Sequence, residues 1–367
     1  MKTTSRLRSL DLLRGISAAI VLFWHYGGYF HGRPGSYFFS AFYGNGQAAV
    51  DVFFVISGFV LQHVYGERLQ NWGDLATFIV RRLARLYPLH LATLIVVALL
   101  FFVFFLEGGV YGFVYLKNDW RHFVMNVLFM QYVGFQDGFS FNGPSWTISA
   151  EFWINIVFAA LTIALGRVWS ARLGFVVVMI STIVLVCVHG EWLSMTAIGG
   201  WLEPILLRCA AGFFAGVVTY EVWRLTEVNQ TTANLLLVIS GVAIFCLMSV
   251  SRSSAMLIYV EATIAVVAAP LLIFSAASSN AADKIANTRI GKWVGATSFS
   301  VYMWHFPVAA TMELLGVGSL PQRIIFGLFF VLTYAVASLS VKHMEFTSQD
   351  AMNRLWERRI RGSVAAQ

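Results

Sequence analysis

The sequence predicts an all-α, polytopic integral membrane protein with about ten transmembrane helices. Of its 367 residues, 58% are hydrophobic and only 12% are charged, whereas soluble domains contain about 25% charged residues. Apolar runs long enough to cross a bilayer recur along the whole chain. The predicted spans are 11–31, 48–65, 90–106, 145–165, 173–190, 199–222, 234–250, 257–276, 297–316 and 323–343.

The distribution of basic residues predicts how these helices are oriented. The net charge is +7, and most Lys and Arg residues fall in segments that share one side of the membrane with the N-terminus. Because basic loops stay on the cytoplasmic side, we expect both termini in the cytoplasm. This bias towards one side of the membrane accounts for the positive net charge of the chain. We therefore expect membrane lipids, and no nucleic acid, as partners.

The predicted organisation is one membrane domain, residues 1–345, followed by a cytoplasmic basic amphipathic tail, residues 346–367. Within the tail, apolar side chains share one helical face and arginines another, so we expect it to lie on anionic lipid. These apolar side chains are Met352, Leu355, Trp356 and Ile360.

Two outer loops, 32–46 and 107–144, are longer than the others. The second contains an apolar patch at 123–135 that is too short to span. We expect this patch to form a re-entrant or interfacial helix that covers a cavity.

The three cysteines, Cys187, Cys209 and Cys246, all lie in apolar segments. An odd number of membrane-embedded cysteines argues against a disulfide framework and against a metal site.

The first span carries three ionisable residues, Asp11, Arg14 and His25. Arg14 and His25 are eleven residues apart, which places them on one helical face, about 16 Å apart along the axis. Asp11 is positioned to pair with Arg14 at i,i+3. Ionisable groups at that depth favour a functional role. The alternative is an arginine that reaches the lipid headgroups and a histidine that completes a buried hydrogen bond.

Two acids lie inside later spans. Asp51 is one turn inside the second span, where a helix N-cap is the alternative role. Glu151 lies about 9 Å inside the fourth span, beyond the turn that contains Asn142, and must there be paired or protonated. Between these positions in the chain, Ser57 and Gly58 indicate close helix packing rather than a nucleophile.

Arg81, Arg82 and Arg85 precede Pro88 and the third span. Arg82 and Arg85 are i,i+3 neighbours, and two guanidinium forks on one face suit phosphate oxygens. A plain cytoplasmic anchor is the alternative. Four further ionisable residues lie in predicted spans. Each is equally consistent with a functional role and with a structural role in which its polar group is hydrogen-bonded or ion-paired: Glu203, Arg208, Glu261 and His305.

Five motifs in this order resemble the membrane acyltransferases of acyltransferase family three, over about residues 8–345. They are Asp11-x-x-Arg14-x10-His25, VDVFFVISGF at 50–59, RRLARLYP at 81–88, SWTISAEFW at 145–153 and SVYMWHFPV at 300–308. The resemblance implies ten spans in a bacterial inner membrane. It also implies transfer of an acyl group, with acetyl expected, from cytoplasmic acyl-CoA to exported or surface glycans such as lipopolysaccharide or exopolysaccharide.

The resemblance also assigns residues. Arg14 and His25 match the family's essential Arg-x10-His pair, Arg82 and Arg85 match its Arg-x-x-Arg motif, and Glu151 matches its acid. Two positions depart from the family pattern: Phe152 follows the acid where many members have a polar residue, and Thr147 replaces the usual serine.

The expected mechanism uses acyl-CoA as co-substrate and no bound cofactor. Phosphates would bind Arg82 and Arg85, with Arg14 as a further candidate, while neutral His25 would act as general base near mid-membrane. Either acid, Asp51 or Glu151, would orient its imidazole. The remaining candidates for substrate contact are Asp11, Asn142, Trp146 and His305.

A proton-coupled transporter of a sugar or lipid-linked sugar is the alternative function, because buried acids, histidines and arginines also form proton relays. Transporters often contain two related halves, and no repeat is visible here. The sequence leaves open the acceptor and whether homo-oligomers form.

Overall fold

The computed structural model describes residues 7–106, 117–136, 138–192, 197–198, 202–251 and 256–365. The regular secondary structure in these ranges is helical, with one isolated bridge between Ile198 and Leu202. The helices are α1 (Arg8–Tyr29), α2 (Ser36–Asn45), α3 (Ala49–Tyr65), α4 (Trp72–Leu106), α5 (Trp120–Val127), α6 (Trp146–Leu165), α7 (Arg167–Ile183), α8 (Pro204–Leu225), α9 (Gln230–Met248), α10 (Leu257–Thr263), α11 (Ala269–Ser278), α12 (Asn280–Ala286), α13 (Arg289–Leu314), α14 (Gln322–Ser340) and α15 (Phe346–Ala365).

Among the residues that the structure describes, eight helical segments are long and apolar enough to cross a membrane, which confirms the predicted polytopic helical fold. The two other predicted spans correspond to α1 and α13, of 22 and 26 residues. At 1.5 Å per residue these helices are about 33 and 39 Å long, sufficient for a bilayer. They are more polar than the eight because their polar side chains face each other and the bundle interior.

The third predicted span, 90–106, is too short. Helix α4 begins at Trp72 and continues through Pro88. Pro88 precedes the predicted span, but neighbouring helices in a membrane bundle can compensate for the hydrogen bond that a proline removes, so the helix continues through it. The arginines at 81, 82 and 85 therefore lie on a helix rather than in a loop.

The long loop predicted at 107–144 is described from 117 onwards, except for residue 137. It contains α5 and then a run of turns in which Phe129 and Tyr132 have positive φ angles of 55° and 58°. Phe129 and Tyr132 themselves are buried, and Ser149 and Trp153 both donate hydrogen bonds to the Phe129 carbonyl, at 2.6 and 2.7 Å. The predicted cover is therefore part helix and part buried turn.

The C-terminal tail is helical and continuous with α14 through a π-helical turn, Val341–Glu345. It packs against the first part of α4, where Trp356 donates a hydrogen bond of 3.3 Å to Thr77. Protein thus covers part of the apolar face predicted to meet lipid, while Leu355 on that face remains 65% exposed.

Close backbone contact holds α3 against α8. A methyl group at Gly58 would lie 1.8 Å from the Phe213 carbonyl oxygen, and one at Gly216 would lie 2.0 Å from the Val55 carbonyl oxygen. These helices therefore pack at a distance that only glycine permits, as the predicted packing role of Gly58 requires.

We expect Gly58→Ala to destabilise the protein by about 1–3 kcal/mol, because the backbone of α8 must move to admit the added methyl group. Thermal melts of the detergent-purified protein measure this. Gly241→Ala on α9 is the control, since a methyl group there meets no atom within 4 Å and alanine favours a helix. Equal melting temperatures for the two variants would contradict the packing argument.

Candidate active site

A pocket with about 610 Å³ of empty space lies between α1, α3, α4, α6 and α13. We call it the arginine pocket. Its apolar walls come from α3, α4, α6 and α13, and its polar lining residues are Arg14, Ser57, Arg82, Arg85, Thr147, Glu151, Ser298 and Tyr302. Five stretches that are distant in sequence thus converge on one cavity.

Glu151 is the acidic centre of the arginine pocket. Its Oε1 accepts a hydrogen bond of 2.9 Å from Arg82 and one of 2.7 Å from Ser57. The Arg82 and Glu151 side chains are only 11% and 18% exposed, and a carboxylate so poorly hydrated needs such partners. The ion pair therefore fixes α4 to α6 and partly neutralises one of the arginines.

Arg14 and Arg85 add two more cations to the same pocket. Arg14 lies 3.9 Å from Asp11, which confirms the predicted i,i+3 pair. Arg85 is exposed and lies one turn beyond Arg82 on α4. The predicted phosphate ligands Arg14, Arg82 and Arg85 therefore do meet in one cavity.

His25 lies further along α1 and is paired with His305 of α13. The centroids of the two imidazole rings are 4.6 Å apart, and Tyr29 stacks on His25 at 5.1 Å. His305 is completely buried, and its Nδ1 lies 2.5 Å from the Tyr302 carbonyl oxygen. Because a carbonyl oxygen can only accept, Nδ1 carries the proton and Nε2 of the neutral ring is an acceptor.

Tyr302 joins the arginine pocket to this histidine pair. It lines the pocket, and its ring centroid is 5.7 Å from that of His305. Its hydroxyl donates to the Pro144 carbonyl at 2.9 Å and accepts from Thr147 at 3.0 Å. Thr147, which stands where the family pattern usually has serine, therefore keeps a hydroxyl group that helps to fix the pocket wall.

Asp51 lies elsewhere, in a fully buried ion pair with Arg208 of α8. Its two carboxylate oxygens accept hydrogen bonds of 2.8 and 2.9 Å from the guanidinium, and Trp192 adds a contact of 3.4 Å. None of the described contacts of His25 is with an acid: Asp51 and Glu151 both bind arginines. The expected contact of His25 with an acid is absent among its described contacts because a buried guanidinium needs a carboxylate more than a neutral imidazole does.

Asn142 and Trp146 have different surroundings. Asn142 is buried and donates a hydrogen bond of 3.1 Å to the Met303 carbonyl, two residues before His305. Trp146 does not line the arginine pocket. It packs edge-on against Phe54 at 6.1 Å, with the Arg208 guanidinium 6.0 Å from its ring, so the structure gives it a packing role.

Three further pocket residues, Ser57, Ser298 and Tyr302, had not been predicted as site residues from the sequence. Ser57 was assigned to helix packing, and Tyr302 lies inside the motif that ends in His305. A spacing of three residues on one helix could have indicated that Tyr302 and His305 share a face.

Comparison with known proteins identifies the family. The acyltransferase-domain family model matches residues 7–342. The chain is 25% identical to a proposed membrane-bound transacylase of Komagataeibacter xylinus, over 95% of this chain and 85% of that protein. It is 26% identical to a peptidoglycan O-acetyltransferase of Listeria monocytogenes, over 84% of this chain and 51% of that protein.

A shorter match, 35% identical, covers 27% of this chain and 48% of Protein 2 of the picA locus of Rhizobium radiobacter. The chain thus matches about half the length of the Rhizobium and Listeria proteins. No solved structure matches it. The motif residues lie together in one pocket: Arg14, Arg82, Arg85 and Glu151. Because the acyltransferase-domain family model also spans nearly the whole chain, this protein belongs to the membrane-bound acyltransferase family.

Proposed function

We propose that this protein transfers an acyl group, with acetyl as the expected group, from cytoplasmic acyl-CoA to a hydroxyl of an exported or cell-surface glycan or glycolipid. The observation that supports this most is the connection between two sites. A pocket with three arginines and a histidine pair of which His305 is buried lie along the same two helices, α1 and α13. The first suits phosphates and the second suits proton transfer.

In this proposal the end of the bundle at which α1 begins faces the cytoplasm of a bacterial inner membrane, in keeping with the basic asymmetry. Acyl-CoA would then enter at Arg85, the exposed arginine of the pocket. Its diphosphate would lie among Arg14, Arg82 and Arg85. Arg82 keeps one fork on Glu151, so Arg14 and Arg85 have more hydrogen-bonding capacity for phosphate oxygens.

The pantetheine arm would follow α1 from Arg14 towards His25, which lies about 16 Å further along the axis. There the acceptor hydroxyl attacks the thioester carbonyl while His25 takes its proton. The C–O bond forms and the C–S bond breaks, and the CoA thiolate receives the proton from the imidazolium. An acyl ester and free CoA leave, and His25 is neutral again.

His305 takes the orienting role that the sequence analysis gave to an acid. With Nδ1–H donated to the Tyr302 carbonyl, its buried Nε2 has no hydrogen-bond partner among the described residues. In this proposal Nε2 accepts the N–H of His25 after a small ring rotation and leaves the other nitrogen of His25 as the base. His305 is therefore a positioning residue in this proposal.

The acceptor would approach from the opposite end, past α2 and the buried turns after α5. The relative from Listeria monocytogenes, named as a peptidoglycan O-acetyltransferase, supports a glycan as acceptor class. The transporter alternative has no comparable support, because the family is one of acyltransferases.

We expect Arg85→Gln to weaken acyl-CoA binding about tenfold, since one charge-assisted hydrogen bond is lost. Calorimetric titration of the purified protein with acetyl-CoA measures the affinity. Arg85 is the better test than Arg82, whose loss would also leave Glu151 without its ion-pair partner.

Arg81→Gln is the matched control, because Arg81 is exposed on the same helix but does not line the pocket. If the Arg81 and Arg85 variants bind acetyl-CoA equally well, the arginine pocket is not the site for the phosphates.

We expect His25→Ala to lower turnover by about 10²–10⁴-fold, the usual contribution of a general base. Acyl-CoA affinity and melting temperature should stay near the wild-type values, because His25 is remote from the arginines. Transfer of labelled acetyl from acetyl-CoA to a glycan extract gives the rate.

His31→Asn serves as the control, since His31 is exposed just after α1 and asparagine tolerates its positive φ of 53°. Normal turnover by a folded His25→Ala protein would remove His25 from the mechanism.

We expect His305→Asn to lower kcat at least about tenfold with the KM for acyl-CoA unchanged. Asparagine can still donate to the Tyr302 carbonyl but lacks an acceptor at the Nε2 position. His305→Gln places an amide oxygen there and should recover part of kcat. A purely structural histidine predicts instead that both variants lose stability and that kcat of the surviving folded protein is normal.

A further inference from the structure

A second pocket lies at the beginning of α1, next to the arginine pocket. It contains about 500 Å³ of empty space and is lined by α1, the last residue of α12, α13 and the first residue of α15. We call it the N-terminal pocket. None of the predicted substrate contacts except Asp11 falls in it.

Two cations, Arg8 and Lys292, line the N-terminal pocket. Within the described part of the chain, neither forms an ion pair, so both guanidinium and ammonium groups are available to an anion. The carboxylate in the pocket, Asp11, is countered by Arg14 at 3.9 Å. The pocket therefore favours an anionic group.

The remaining lining suits a flat ring. Phe346 presents an aromatic side chain that is 52% exposed, and the floor consists of the small residues Ala286, Gly291 and Ala296. Base–aromatic stacking contributes about 1–3 kcal/mol and does not require hydrogen bonds to the base. An aromatic face beside two cations is suited to a phosphorylated nucleoside.

The N-terminal pocket and the arginine pocket share their walls. On α1, Asp11 lines one and Arg14, one turn later, lines the other; on α13, Ala296 and Ser298 do the same. Glu345 adjoins Phe346, and its carboxylate accepts a hydrogen bond from Ser300 and lies within electrostatic reach of Arg85. One molecule with two anionic parts could therefore occupy both pockets.

We propose that the N-terminal pocket binds the 3′-phosphoadenosine end of the acyl-CoA donor, with Arg8 and Lys292 on the 3′-phosphate and Phe346 against the adenine. This inference rests on the proposed function, since it requires a CoA thioester as donor. It divides the recognition of CoA between two sites: the arginine pocket binds the diphosphate, and the N-terminal pocket binds the nucleoside phosphate.

The test compares CoA with dephospho-CoA, which lacks only the 3′-phosphate, in calorimetric titrations of the full chain in detergent. Wild-type protein should bind CoA about tenfold more tightly than dephospho-CoA, because a charge-assisted contact is lost. Arg8→Gln and Lys292→Gln should each weaken CoA binding and leave dephospho-CoA binding unchanged. Arg85→Gln should weaken both ligands by the same factor.

Phe346→Leu should weaken both ligands equally, because both contain adenine, and should leave the ratio between them intact. Lys284→Gln is the control for charge, since Lys284 is exposed on α12 at the same end of the bundle and does not line the pocket. It should behave as wild type.

The outcomes separate the two proposals. If wild-type protein binds CoA but does not distinguish dephospho-CoA, or if Arg8→Gln and Lys292→Gln weaken both ligands alike, the N-terminal pocket is not the 3′-phosphate site and the proposed function stands. If wild-type protein binds neither ligand, the proposed function fails and this inference fails with it.

Discussion

The close packing of α1 against α13 is the constraint on which both pockets and the histidine pair depend. A methyl group at Gly15 would lie 2.4 Å from the Val294 carbonyl oxygen, and one at Gly295 would lie 3.0 Å from the backbone of Asp11. At this separation polar side chains on the two helices reach one another, as His25 and His305 do. Small residues thus place costly ionisable groups within reach of partners in a low-dielectric interior.

Local periodicity was sufficient to predict part of the site. Helical spacing placed Arg14 and His25 on one face and paired Asp11 with Arg14, and the structure agrees. The Arg-x-x-Arg spacing likewise brought Arg82 and Arg85 to one pocket. Each of these relations depends on residues within a few helical turns.

Long-range pairing could not be obtained in that way. Asp51 and Arg208 are separated by 157 residues, and nothing in either segment marks them as partners. A charge buried in an apolar interior needs a partner of opposite charge, so each acid was expected to have one. Two acids and several cations, however, allowed many pairings. His305 was missed as the partner of His25 for the same reason, and Pro88 obscured the start of α4 because membrane helices tolerate proline.

The buried turns between α5 and α6 have an evolutionary consequence. They contact α6 on both sides of Glu151, where Ser149 and Trp153 donate to the Phe129 carbonyl, whereas the N-terminal pocket is lined by α1, α12, α13 and α15. Loops vary more readily than packed helices, so these turns can change shape while the helices that line the N-terminal pocket keep its chemistry. Such a division would let one lineage diversify the molecules it decorates and retain a single metabolic source of acyl groups.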